Sequence, residues 1–141
     1  MLVYLCGAMS HWDRQDCFEK ATDWREEAIK GFYSDSIIKW FNPCVNYFIN
    51  KEYNSKGVVT QNLTYLKKSD IILLNLEELD KSPGSLFEIY YAYMNHIPVI
   101  AFGKNYLYGN QPHVTESISM HFDDMGVALD YIDNMFEQDN K

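Results

Sequence analysis

The chain has 141 residues, 47% hydrophobic and 23% charged, with a formal net charge of -8 and a pI near 4.8. That size and balance suit one globular domain, spanning 1–141, with a real core. The acidic excess argues against a nucleic-acid polymer as partner, because phosphate backbones need a basic face.

The opening "MLVYLCGAMS" has no basic n-region, so it reads as a first strand rather than a signal peptide. Leu2–Cys6 is the strand, an apolar run stopped by Gly7. In "DRQDCFEKATDWREEAIKGF", Cys17, Ala21, Trp24, Ala28 and Ile29 recur at helical spacing before Gly31. Ser36–Phe41 is a second strand, closed by Asn42-Pro43. Residues 44–56 read as a loop, long enough to act as a lid. "VVTQNLTYLKKS" predicts a helix, Asp70–Leu76 a buried strand, and "SPGSLFEIYYAYMNHIPVI" a turn, a helix and a further strand at Ile97–Gly103. A polar loop, "KNYLYGNQPHVTES", precedes a short strand "SMHF" and a closing helix "DMGVALDYIDNMF", with "EQDNK" as a frayed tail. Strands alternating with helices predict a parallel sheet covered on both faces. No apolar run reaches the ~20 residues of a membrane span, so no membrane is expected.

In such folds ligands bind at the carboxyl ends of the strands, near the switch in strand order. That directs attention to "CGAMS", to "EELDKSPGS" and to "FGKNY". Glu88 follows the second of these, in the first turn of its predicted helix and close to an apolar face. A first-turn Glu complements the helix macrodipole for ~0.3–1 kcal/mol. In a cleft, the same carboxylate is suited to attack a sugar's anomeric carbon and form a covalent glycosyl-enzyme. Tyr4 is placed to point toward the same cleft. The cysteines, Cys6, Cys17 and Cys44, are too few and too scattered for a disulfide framework or a zinc site, which suits a reducing cytoplasm. Cys6 reads as core. His11, His96, His113 and His121 show no metal spacing, and no glycine pattern supports a dinucleotide or P-loop site. No metal and no cofactor are expected.

Taken together in order, "YLCGAMS", "SDIILLNL" and "GSLFEIYYAYMNHIPVI" resemble the nucleoside 2-deoxyribosyltransferase family, which includes the 2'-deoxynucleoside 5'-monophosphate N-glycosidases. The order and spacing match over residues 3–102, and "HFDDMGVALDYI" is similar to a family ending. The resemblance implies a single-domain, doubly wound α/β sandwich with a five-stranded, mostly parallel sheet, flavodoxin/Rossmann-like. It implies Glu88 as nucleophile and Tyr4 as the residue that orients it. Gly7, Ala8 and Met9 would line the base or sugar pocket. Ser82, with Gly84 and Ser85, would stand near the sugar's 5'-hydroxyl or a 5'-phosphate. Plain N-cap chemistry would equally explain the two serines.

One position departs from the family pattern. Where the family has an Asp that helps proton transfer at the base, this chain has Asn62. An amide can hydrogen-bond a base edge but cannot give or take a proton. Asp70, at the opposite end of a strand, reads as structural, and Asp80 is a loop candidate. Three readings follow: a transferase passing deoxyribose between bases, a hydrolase of deoxynucleoside monophosphates, and a catalytically weak nucleotide-binding protein. The resemblance also implies a homo-oligomer whose sites are closed by the segment after the fourth strand. There Ser117, with Thr115 and Ser119, would act across the interface. The tyrosine-rich run Tyr90, Tyr91, Tyr93 and Met94 exceeds one helical face and suggests a dimer surface.

Overall fold

The computed structural model describes residues 1–9, 15–31, 38–44 and 55–136. Residues 45–54 of the expected lid, the tail, His11 and the side chain of Cys17 lie outside the described residues.

Five short strands, β1 (Leu2–Cys6), β2 (Lys39–Phe41), β3 (Ile71–Asn75), β4 (Val99–Phe102) and β5 (Met120–Phe122), form one sheet in the order β2-β1-β3-β4-β5. Every neighbouring pair is parallel. The helices are α1 (Gln15–Lys30), α2 (Ser55–Lys68), α3 (Pro83–Met94), α4 (Pro112–Ser117) and α5 (Met125–Phe136), with a 3₁₀ turn at Leu79–Lys81 before α3.

The strand side chains alternate between two cores, as the pleat requires. Tyr4, Cys6, Ile72, Leu74, Val99 and Ala101 face Leu66 of α2, Ile89 and Ala92 of α3, and Val114 of α4. Val3, Leu5, Ile71, Leu73, Ile100 and Phe102 face Ala28 of α1 and Ala128, Leu129 and Ile132 of α5. Both faces being covered, β3 reads in sequence as an unbroken apolar run rather than an alternation. The order reverses beside β1, which places the switch point between the carboxyl ends of β1 and β3.

Four details differ from the sequence reading. The polar loop before β5 contains α4, begun by Pro112 and capped by Gln111, whose side-chain oxygen accepts from Val114 N at 2.9 Å. A proline at the first turn and a glutamine cap are weak signals next to so many loop-forming residues. The helix α2 starts earlier than expected, at Ser55. On α1, Ile29 is exposed while Arg25 is fully buried, so the inward stripe runs through an arginine that hydropathy assigns to solvent. Finally, α3 begins at Pro83 with Ser82 as its N-cap. Glu88 therefore lies in the second turn, where the macrodipole effect has largely faded.

Candidate active site

A cavity of about 170 Å³ opens at the carboxyl end of β1, lined by Tyr4, Gly7, Met9, Arg25, Pro43, Asn62, Ser82, Pro83, Gly84, Ser85 and Glu88. It is smaller than the roughly 300–1,000 Å³ of a drug-sized pocket. Eight of the ten residues expected from sequence line it. Ala8 is half-exposed beside it without lining it. Ser117 is elsewhere, in a groove of about 410 Å³ between α3 and α4.

Glu88 projects from α3 to the end of β1. The Tyr4 hydroxyl donates to its Oε2, and the Cys6 thiol lies 3.4 Å from its Oε1. The two donors sit two residues apart on one strand, hence on the same face. Each holds a different carboxylate oxygen, which fixes the plane of the group. Burial pushes the Glu88 carboxyl above its ordinary range, while the bonds from Tyr4 and Cys6 and the Arg25 charge pull it back. Burial and the adjacent Glu88 hold the Tyr4 hydroxyl and the Cys6 thiol well above their usual values, so both remain protonated donors. A thiol in that state is a poor nucleophile. Cys6 thus belongs to the core, as expected, but its contact with Glu88 was not legible from its neighbours in sequence.

The turn before Glu88 is committed largely to itself. Ser82 Oγ donates to Ser85 Oγ at 2.8 Å and accepts from Ser85 N at 3.4 Å. Gly84 has open space where a side chain would stand. Gly7 is required for a different reason: a Cβ there would come 2.9 Å from the Trp24 ring. Across the cavity, the Asn62 Oδ1 is buried with no hydrogen-bond partner among the described residues. A buried acceptor left open at the wall of a cavity is a site for a ligand donor.

Asp70 and Asp80 are both placed away from this cluster. Asp70 Oδ2 accepts from Leu2 N at 2.8 Å at the amino ends of the strands, and Asp80 Oδ1 accepts from Asn105 at 2.8 Å. Thr115 donates to Gln111 O and Ser117 to His113 O, and Ser119 Oγ accepts from Val99 N. His121 Nε2 binds Gly103 O at 2.8 Å, and no group of metal-ligating side chains occurs among the described residues. A larger cavity, about 930 Å³, opens on the opposite face between α1 and α5, with Glu27, Glu77, Asp124 and Asp130 on its walls. Among the described residues no carboxyl there is held by two donors, so chemistry and not size selects the smaller one.

A fully parallel doubly wound sheet with an oriented carboxylate at its switch point defines an α/β protein whose candidate site lies where this architecture favours ligand binding. The family model described as "Nucleoside 2-deoxyribosyltransferase like" matches residues 1–106, and the chain belongs to that family. Among solved structures, a 2-deoxyribosyltransferase from Bacillus psychrosaccharolyticus is similar with a TM-score of 0.65 and 18% identity, over 93% of this chain and 92% of that one. A conserved protein from Enterococcus faecalis V583 is similar with a TM-score of 0.68 and 16% identity, over 95% and 98%. At these identities the likeness speaks for the fold. No curated protein sequence matches the chain.

Proposed function

We propose that the protein cleaves the N-glycosidic bond of a 2'-deoxynucleoside through a covalent deoxyribosyl ester on Glu88, and passes the sugar to another base. The single observation that carries this reading is the Glu88 carboxylate, held by Tyr4 and Cys6 through separate oxygens in the cavity at the carboxyl end of β1. Family membership supplies the substrate class.

In the first half-reaction a Glu88 oxygen attacks C1' as the C1'–N bond breaks, and the electron pair of that bond leaves with the base. Tyr4 keeps the attacking oxygen aimed and redistributes its hydrogen bond as the carboxylate becomes an ester. Asn62 offers an acceptor to a base N–H, but no proton, so the departing base takes its proton from water. In the second half-reaction a ring nitrogen of the incoming base attacks C1', Glu88 leaves as a carboxylate, and the N–H proton of that base passes to water. Ser82 and Ser85 lie near the sugar's far end. Their mutual hydrogen bond favours an uncharged 5'-hydroxyl over a phosphate.

The functional unit is proposed to be a homo-oligomer, acting in nucleotide salvage in the cytoplasm. Tyr93 and Met94 are 55% and 69% exposed on α3, beside the α3–α4 groove. Incubating the protein with deoxyinosine plus adenine, and separately with deoxynucleoside monophosphates, tests the reading by chromatography. A new nucleoside is the expected outcome. Free base from a monophosphate would identify the hydrolase instead, and binding without turnover a nucleotide-binding protein.

A further inference from the structure

Arg25 is fully buried, in a position where an apolar side chain would fill the volume without the several kcal/mol that enclosing an ion costs. Its donors go to neutral groups. Nε donates to Leu5 O at 3.3 Å, Nη2 to Gly7 O at 3.0 Å and Nη1 to Ala21 O at 2.7 Å. Nη1 also reaches Cys44 Sγ at 3.5 Å. Carbonyls satisfy the fork and the Trp24 ring lies 4.6 Å from its central carbon, but no carboxylate among the described residues forms an ion pair with it.

The placement is specific. The carbonyls of Leu5 and Gly7 flank Cys6, whose thiol meets Glu88 Oε1, and Tyr4, two residues before Cys6, holds Oε2. The guanidinium therefore grips Leu5 and Gly7, which alternate along β1 and its turn with Tyr4 and Cys6, the two residues that hold Glu88. It also lines the Glu88 cavity itself.

We propose that Arg25 is a positioning residue, clamping the end of β1 that carries Tyr4 and Cys6 and supplying the fixed positive charge beneath Glu88. The kinetic part of this proposal rests on the reading of Glu88 as nucleophile; the electrostatic part does not. Among the described residues, the titratable and charged groups acting on Glu88 are Tyr4 and Cys6 from β1 and Arg25 from α1. The side chains of Asn62 on α2 and of Ser82 and Ser85 at the start of α3 are neutral. Tyr4 and Cys6 stay protonated, so Arg25 is the one full charge in that set. Its removal leaves burial less opposed, and Glu88 should hold its proton to higher pH.

The test follows Glu88 directly. Protein labelled with ¹³C at the glutamate carboxyls is titrated by NMR, and the Glu88 signal is assigned by its loss in Glu88→Gln. In Arg25→Gln the Glu88 midpoint should rise above the wild-type one, and in Arg25→Lys, which keeps the charge, it should rise less. Arg25→Met fills the volume without the charge and decides the same point if Arg25→Gln does not fold. Arg25→Lys should lower kcat while shifting the pH profile less, because an ammonium cannot reach all the carbonyls the fork reaches. A wild-type Glu88 midpoint in a folded, charge-removed variant overturns the proposal. If wild-type protein turns over no deoxynucleoside, the proposed function fails, and the titration still decides the role of Arg25.

Discussion

Glu88 is an acid whose fold opposes its charge, and that has consequences in two directions. Its carboxyl is raised mainly by burial, so the nucleophile becomes ionised later than a free carboxylate of pKa ~4.3. The acidic limb of kcat/KM should therefore lie above the ordinary carboxylate range, and a limb at the ordinary value would contradict the geometry. The same shift acts on stability. A folded pKa above the unfolded one means that the folded state prefers the proton. The contribution of Glu88 is then most favourable below the unfolded pKa and is lost as pH rises through the folded one. Above that window Glu88→Gln should be the more stable protein, by about 0.5–2 kcal/mol, as is common where a strained active-site group is removed. Denaturant melts at neutral and acid pH check this: the advantage should shrink on acidification, while turnover is abolished at every pH. At Asn62 the open Oδ1 predicts that Asn62→Asp folds and binds. Restoring a proton donor there should raise the rate, within the ~10²–10⁴-fold range of general acid catalysis. A rate unchanged in single-turnover measurements would show that the base leaves without needing that proton.

At the scale of elements, two short segments aim the site. The first is the N-terminus of α3, where Ser82 caps the helix and bonds Ser85. Ser82→Ala should cost about 0.5–2 kcal/mol in chemical denaturation, the usual loss for a cap. The sequence shows Ser-Pro-Gly-Ser clearly as a turn, yet places the helix start too late. Pro83 and Gly84 look like loop residues, while their role here is to begin a helix. The second segment is the turn after β1. Gly7 faces the Trp24 ring, which packs edge-on against Phe102 with centroids 5.5 Å apart and so has little freedom to move aside. Gly7→Ala should destabilise by about 1–3 kcal/mol and displace the Gly7 carbonyl from Arg25. Thermal melts test the first effect. The Arg25→Gln titration profile for Glu88, reproduced in Gly7→Ala, would report the second.

For the whole molecule, α3 leaves large apolar side chains exposed. Tyr90 and Tyr91 pack partly against the core, whereas Tyr93 and Met94 do not. The tyrosine run thus divides between sheet and surface, as the excess over one helical face predicts. The hydroxyls of Thr115 and Ser117 already donate within their own chain, so a role across an interface would require Ser117 to exchange its bond to His113. Light scattering at micromolar protein should give a mass above the 16.6 kDa of one chain, and Met94→Lys should lower it. A wild-type species of single-chain mass would remove the oligomer from the proposed function. Mixing inactive Glu88→Ala with inactive Ser117→Ala then separates the two arrangements, because activity returns only if Ser117 serves a neighbour's site.

Apolar runs bounded by glycine, proline and asparagine were enough to place β1, β3 and β4, because strands buried on both faces leave a dense local signal that needs no knowledge of partners. The order of motifs was enough to pair Tyr4 with Glu88, although 84 residues separate them. Tertiary structure alone decided that Arg25 is interior. Its burial depends on the carbonyls of Leu5 and Gly7, which the parallel crossover brings back onto α1 from outside any helical window. It likewise decided that Cys6 holds the second oxygen of Glu88 and that Ser117 stands outside the cavity of its own chain. Periodicity reports which face of an element turns inward; the atoms waiting there belong to other elements, and only packing brings them within hydrogen-bond reach.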